Sequence, residues 1–191
     1  MQVYTYKILL IGKKSPFKAE IVNYYPEVYF QMMENDIGIN IVHSKVREVN
    51  KSLTFHFWDT SYGVKFNNKF SPYYKAASGC IFILNFNGRK AIQKILRDLQ
   101  KYKVGPIFLI FPFNSEELIE NQPLINAIEE KFKTKMKIFS NIPEFCEDFT
   151  STIFEYSLQK LNLNLCFHFS LIQTNRTYDL TLNQLLKIFL N

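Results

Sequence analysis

Glycine is scarce in this chain of 191 residues: there are six, Gly12, Gly38, Gly63, Gly79, Gly88 and Gly105, where average usage would give about thirteen. That shortage argues against collagen-like repeats and against loops built on successive glycine turns. Arginine is scarcer still, with four against nineteen lysines. Few side chains are therefore available for bidentate contacts to phosphates or base edges. The net charge of +6 reads as solubilising, and no nucleic-acid partner is expected. The three cysteines, Cys80, Cys146 and Cys166, form no CxxC pair and lie among apolar residues, as buried free thiols of a reducing compartment do. His43, His56 and His168 have no metal-ligand spacing and read as strand-face residues. No apolar run approaches the length of a membrane span. The first residues have no secretory layout, Gln2 is not a myristoylation glycine, and the last residues carry no prenylation cysteine. A soluble, intracellular protein without a lipid anchor of its own is expected.

What the chain does have is apolar and aromatic bulk. Hydrophobic residues make up 47%, with 19 Phe and 11 Tyr, which is incompatible with disorder and sufficient for one domain over residues 1–191. Short apolar runs at 6–11, 80–86 and 107–111 predict buried strands. Alternation over 39–49 and again from Leu53 to Phe57, around Asn50-Lys51-Ser52, predicts a hairpin; 163–172 is a sixth strand candidate. Between them, Ile92, Ile95, Leu96, Leu99 and Tyr102 follow helical spacing, as do Leu182, Leu185, Leu186 and Phe189. Further helices are expected at 17–25, ended by Pro26, at 124–132 and at 149–161. This order predicts a six-stranded, mostly parallel α/β sheet with one antiparallel edge strand and helices on both faces.

Ligands of open α/β sheets bind beyond the carboxyl ends of the strands. Two segments fall there: Gly12-Lys13-Lys14-Ser15-Pro16-Phe17-Lys18-Ala19 and Trp58-Asp59-Thr60-Ser61-Tyr62-Gly63. A strand, a glycine and a helix-opening lysine is the layout of a phosphate-binding loop, and an acid on a neighbouring strand end suits a Mg²⁺-organising carboxylate. With Asp36-Ile37-Gly38, Phe57-Trp58-Asp59-Thr60, Phe66 and Tyr73-Tyr74-Lys75-Ala76-Ala77-Ser78-Gly79, the sequence resembles the Ras superfamily of small GTPases, its Rab branch most closely. The resemblance runs from about residue 5 to 118 and resumes at the last helix. The Rag branch is the other candidate ancestry. A P-loop small-GTPase fold is implied, with an enlarged segment at about 119–162. Within that segment, alternating lysines over 131–137 suit an exposed edge strand, and Glu144 to Phe149 reads as a helix start with acids in its first turn, or as a docking segment.

The departures from the family pattern shape the functional expectation. Gly12 and Lys18 match the loop, but Phe17 replaces its second glycine and Ala19 its Mg²⁺-binding hydroxyl; Pro16 has no N–H to offer phosphate. Asp36 stands where the family has a threonine, Tyr62 where it has a glycine, and Gly63 where it has the water-orienting glutamine. Asn114-Ser115-Glu116-Glu117 replaces the guanine-reading Asn-Lys-x-Asp, keeping Asn114 and changing Asp to Glu117. The expectation from the resemblance is a pseudo-GTPase: no enzyme, no cofactor, and a protein-binding or scaffold role in an intracellular trafficking or transport complex. It would be cytoplasmic, with membrane or ciliary association only through partners. The alternative is an atypical small GTPase. There Gly12, Lys18, Asp59, Asn114 and Glu117 would hold GTP or GDP, and Asp36 and Asp59 the Mg²⁺. The resemblance places three effector-reading hydrophobic positions on Ile41, Trp58 and Tyr73.

Overall fold

The apolar run after Tyr6 becomes the middle of the sheet. The computed structural model describes residues 1–12, 16–25, 27–31, 39–47, 50–61, 71–83, 89–113, 137–158 and 167–173, with positions 122, 123, 126 and 130. In it, β1 (Gln2–Gly12) lies between two parallel neighbours, β4 (Lys51–Ser61) and β5 (Gly79–Ile83). A strand covered on both edges and both faces must be apolar throughout, and Ile8, Leu9, Leu10 and Ile11 are all fully buried.

The remaining strands are β2 (Glu27–Gln31), β3 (Ile39–Arg47), β6 (Ile107–Phe113), β7 (Lys137–Phe139) and β8 (Phe167–Gln173). The described strands form one sheet of eight in the order β2-β3-β4-β1-β5-β6-β8-β7. The α/β class read from the sequence holds, and two strands are added to the expected six. β3 is the antiparallel strand of the hairpin, but β2 pairs outside it, so β3 is not the edge. β2 was missed because a run of five residues just after Pro26 is too short to show a period. At the other edge β7 takes only the end of the lysine-alternating segment, with Lys137 and Ile138 exposed.

Four described helices accompany the sheet: α1 (Pro16–Asn23), α2 (Ser71–Tyr74), α3 (Arg89–Lys101) and α4 (Ile142–Leu158). None of them is long and apolar enough to cross a membrane. Of the helix expected at 124–132 only positions 126 and 130 are described, both helical, and the one expected at the C-terminal end lies outside the described residues. α4 begins seven residues before the helix read at 149–161, with Glu144 in its first turn as expected from the acids there. Side chains fix that start. Asn141 Oδ1 accepts from the Glu144 N–H at 2.9 Å, and Glu144 Oε2 accepts from the N–H and Oγ of Ser140 at 2.8 and 2.7 Å. Asn141→Ala should therefore cost about 1 kcal/mol in chemical denaturation. The Ser140 bonds hold the Glu144 carboxyl below its ordinary pKa. Its contribution is present above the unfolded carboxylate pKa and is lost as pH falls through the lower folded value. The stability cost of Asn141→Ala should shrink in acid as the same helix start loosens.

One face of the sheet packs against α1 and α4. Tyr6, Ile8 and Leu10 of β1, Phe55 and Phe57 of β4, and Phe108 of β6 join Phe17, Ile21 and Tyr25 with Phe145, Phe149 and Ile153 in one core. The buried tyrosines find partners for their polar ends on α4: Tyr6 pairs with Ser157 at 2.9 Å and Tyr25 with Thr150 at 3.2 Å. Gly79 permits the close approach of α4, since a Cβ there would come within 2.5 Å of Ile153 Cδ1 and 3.3 Å of the Pro106 carbonyl. Cys80 and Cys146 are buried free thiols, as read; burial pushes both pKa values up, Cys146 to about 12.

Candidate functional site

The carboxyl ends of β1 and β4 lie side by side, with Leu10 opposite Asp59, Ile11 opposite Thr60 and Gly12 opposite Ser61. α1 begins directly beyond them, and Pro16 at its first position suits a helix start because its missing N–H would be unpaired there anyway. From the first turn of α1, Lys18 reaches back to the strand ends and is only 2% exposed. Its Nζ lies 2.5 Å from Asp59 Oδ1 and donates to the carbonyls of Leu10 at 3.3 Å and Thr60 at 3.2 Å. Burial lowers the Lys18 pKa, and the Asp59 carboxylate opposes that shift.

Gly12 is required where it stands. Its φ is +148°, and a Cβ would meet Ile83 Cβ and the Ile83 carbonyl at 3.1 Å and Lys18 Cε at 3.4 Å. Bare backbone therefore borders the lysine. Phe17, the residue expected to crowd a phosphate loop, is 2% exposed and belongs to the α1-face core. Its bulk is used in packing. Sequence reasoning did not single out Thr60, although it was named beside Asp59; it is buried, its carbonyl accepts from Lys18, and its hydroxyl lies 3.5 Å from the Leu10 carbonyl.

The structure thus brings Gly12, Lys18 and Asp59 together. Asp36, Asn114 and Glu117 lie outside the described residues. The three hydrophobic positions also converge. Ile41 is opposite Trp58 in the β3–β4 register, and the Trp58 and Tyr73 rings are 5.7 Å apart, centroid to centroid. Lys7 Nζ sits 4.1 Å from the Trp58 ring centroid, and the His43 and His56 rings meet edge to face at 4.3 Å. The sequence reading treated Lys7 and the histidines as background. The signal available was their period: Lys7, and His43 with Ile41, alternate with core residues and so share one sheet face.

A mostly parallel sheet with a glycine-ended first strand, a helix-borne lysine and an acid on the adjacent strand end is the layout of an α/β domain of the P-loop kind. Comparison with known families specifies it. The family described as "Ras of Complex, Roc, domain of DAPkinase" matches residues 7–114, more than half of the chain, and the chain belongs to this family of Ras-superfamily GTPase domains. It is 24% identical over 133 residues to the Ras-related protein Rab-1 of Theileria parva, covering 67% of this chain and 60% of that protein. It is 22% identical over 139 residues to the GTP-binding protein YPTM2 of Zea mays, covering 71% and 68%. A third relative, the Ras-related protein RABA6b of Arabidopsis thaliana, is 25% identical over 135 residues, covering 69% and 58%. The chain thus spans about three fifths of the length of the Rab-1 relative.

These relationships correct one expectation. The chain was read as no enzyme and as needing no cofactor, but Roc domains and the Rab relatives are GTPases, and the family binds GTP or GDP with Mg²⁺. The physical reason the reading failed is that it counted altered motif positions separately. Phe17 is a core residue in this fold, while the lysine and the carboxylate still meet at the strand ends.

Proposed function

We propose that the chain is an atypical small GTPase that takes GTP or GDP beyond the ends of β1 and β4, turns it over slowly, and engages protein partners in intracellular trafficking or transport. The observation that carries this reading is the buried Lys18 ammonium beside Asp59 and two strand-end carbonyls. A buried cation with a carboxylate at this position is the donor set for a phosphate and its metal. Lys18 would meet phosphate oxygens. Asp59 would hold Mg²⁺, which supplies charge neutralisation of the phosphates when bound, with Asp36 as a second carboxylate. Asn114 and Glu117 would read the base. Ala19 brings no hydroxyl to the metal and Gly63 no side-chain carboxamide to a water, which is why turnover is expected to be slow. Partner engagement would use Ile41, Trp58 and Tyr73, and would draw a cytoplasmic protein to membranes or cilia through those partners.

The test is titration with a fluorescent GDP analogue and Mg²⁺, followed by single-turnover hydrolysis of GTP. Lys18→Ala should weaken binding roughly ten- to a hundredfold, the value of a lost hydrogen bond to a charged group. Absence of saturable binding by the unmodified protein, or equal binding by Lys18→Ala, would refute the assignment.

A further inference from the structure

We infer that His43 and His56 form a two-imidazole chelate for a divalent transition-metal ion of the tetragonal kind, Cu²⁺ or Ni²⁺, held across the β3–β4 hairpin and completed by water. This site is separate from the phosphate and Mg²⁺ chemistry proposed above and does not rest on it.

The hairpin makes the juxtaposition. The two histidines are far apart in sequence, but the antiparallel register sets them directly opposite each other. Opposite positions of an antiparallel pair hold their Cβ atoms about 4.5–5.5 Å apart on one face. The flanking residues point the other way: Val42 and Ser44 beside His43, and Phe55 and Phe57 beside His56, are buried, whereas both histidines are half-buried. An ion in solvent can therefore reach the rings. The strands that carry them are anchored in the core by Val42, Phe55 and Phe57. Two ligands preset by an anchored hairpin lose little freedom when they close on an ion.

The ring geometry narrows the choice of ion. The ring centroids are 4.3 Å apart and the ring planes are inclined at 79°. A ligating nitrogen about 2.0–2.1 Å from its metal puts the centroid of an imidazole about 3.2 Å from the ion. Two imidazoles on one ion then have centroids about 4.5 Å apart at a right angle and about 5.2 Å apart at the tetrahedral angle. The observed separation is that of neighbouring corners of a square or octahedron, which Cu²⁺ and Ni²⁺ adopt, and falls short of the tetrahedral spacing of Zn²⁺. Mg²⁺ does not compete for such a pair, because it takes oxygen ligands.

Among the described residues no group of three or more His, Cys, Asp or Glu side chains is placed to hold an ion, so water would fill the other corners. Two cations stand near. Lys7 is beside His56 in the β1–β4 register, and Lys45 is two residues from His43 on β3. Lys7 Nζ is drawn towards the Trp58 ring, 4.1 Å from its centroid, and donates to the Lys75 carbonyl at 3.1 Å. Its ammonium is thus held to the Trp58 side of the imidazoles, but its charge still opposes a second cation. Lys7→Gln should accordingly tighten metal binding severalfold.

Trp58 is the one tryptophan in the chain and lies two residues from His56 on the same face of β4, so an open-shell ion at the pair quenches its emission. The full chain, without a polyhistidine tag, is titrated with copper(II) or nickel(II) chloride in a non-chelating buffer containing Mg²⁺, at about pH 7.5 because the neutral imidazole is the ligating form. Saturable quenching at one ion per chain is expected. His43→Gln and His56→Gln should each weaken it at least about tenfold, since losing even an outer-shell partner of a metal ligand costs that much. His168→Gln should leave it unchanged. The electron paramagnetic resonance spectrum of bound Cu²⁺ should show two equatorial nitrogens, and fewer in either variant. Bound ion should also raise the melting temperature by a few degrees, because it binds the folded hairpin and not the unfolded chain. Circular dichroism of each variant separates loss of binding from loss of fold. Quenching that survives both substitutions, or a spectrum with a single nitrogen, would overturn the chelate. Displacement of Ni²⁺ by an equal concentration of Zn²⁺ would overturn the right-angle geometry, and displacement by Mg²⁺ would overturn imidazole ligation.

Discussion

Asp59→Ala should destabilise the fold by about 3 kcal/mol, the lower end of the cost of breaking a buried ion pair. The side chain of Lys18 is 3% exposed and that of Asp59 20%. Removing the carboxylate leaves the ammonium on the Leu10 and Thr60 carbonyls without its Asp59 partner, in a site that already lowers its pKa. The partial exposure of Asp59 is what keeps the cost from being larger. Adding Lys18→Met to Asp59→Ala should recover most of the loss, because exchanging both members of a buried pair for apolar volume is close to neutral. Urea denaturation of the two single variants and the double variant measures this directly. A double variant as unstable as Asp59→Ala would show that Lys18 does not depend on Asp59 in the folded state. The recovered double variant would still fail to bind nucleotide, which separates a folding role from a binding role.

The second large effect is expected at Phe55. It is fully buried, and its ring lies between 5.3 and 5.9 Å from those of Tyr6, Tyr25, Phe57 and Phe149. These residues come from β1, the turn just after α1, β4 and α4, so one ring joins the sheet to the α1 end and to α4. Phe55→Ala should cost about 3–5 kcal/mol, which for a chain of this size is a fall in melting temperature of roughly 10 °C. Thr54→Ala, one residue away on the opposite face, should change stability by less than about 0.5 kcal/mol. Thermal unfolding of both variants tests the face assignment as well as the packing. Comparable losses at 54 and 55 would contradict it.

Much of this architecture is written locally. The strands at Ile8–Ile11, Gly79–Ile83 and Ile107–Ile110 are legible because residues covered on both faces must be apolar without a break. α3 is legible because helical spacing places Ile95 and Leu99 on one stripe, and both are buried. The start of α4 is legible in the acids from Glu144, while the Asn141 cap and the first turns before residue 149 are not part of the sequence reading. β2 and β7 are not legible, because five and three residues carry too little pattern.

The site is legible as residue types, and only partly as an arrangement. The sequence by itself determined that a glycine follows the first strand, that a lysine opens the first helix and that an acid ends another strand. It also determined that six glycines are too few for a loop of repeated glycine turns. It could not determine that Lys18 would cross 41 positions to Asp59, nor that Phe17 would enter the core. Nor could it show that Lys7 would lie over Trp58 and that His43 and His56 would meet. Those contacts depend on strand order and register. The order places β1 beside β4 and β4 beside β3. A shift of one residue in either pairing would send each of these side chains to the opposite face. Local periodicity fixes which residues are apolar on which side of an element; only the assembled sheet decides which charges and rings face one another.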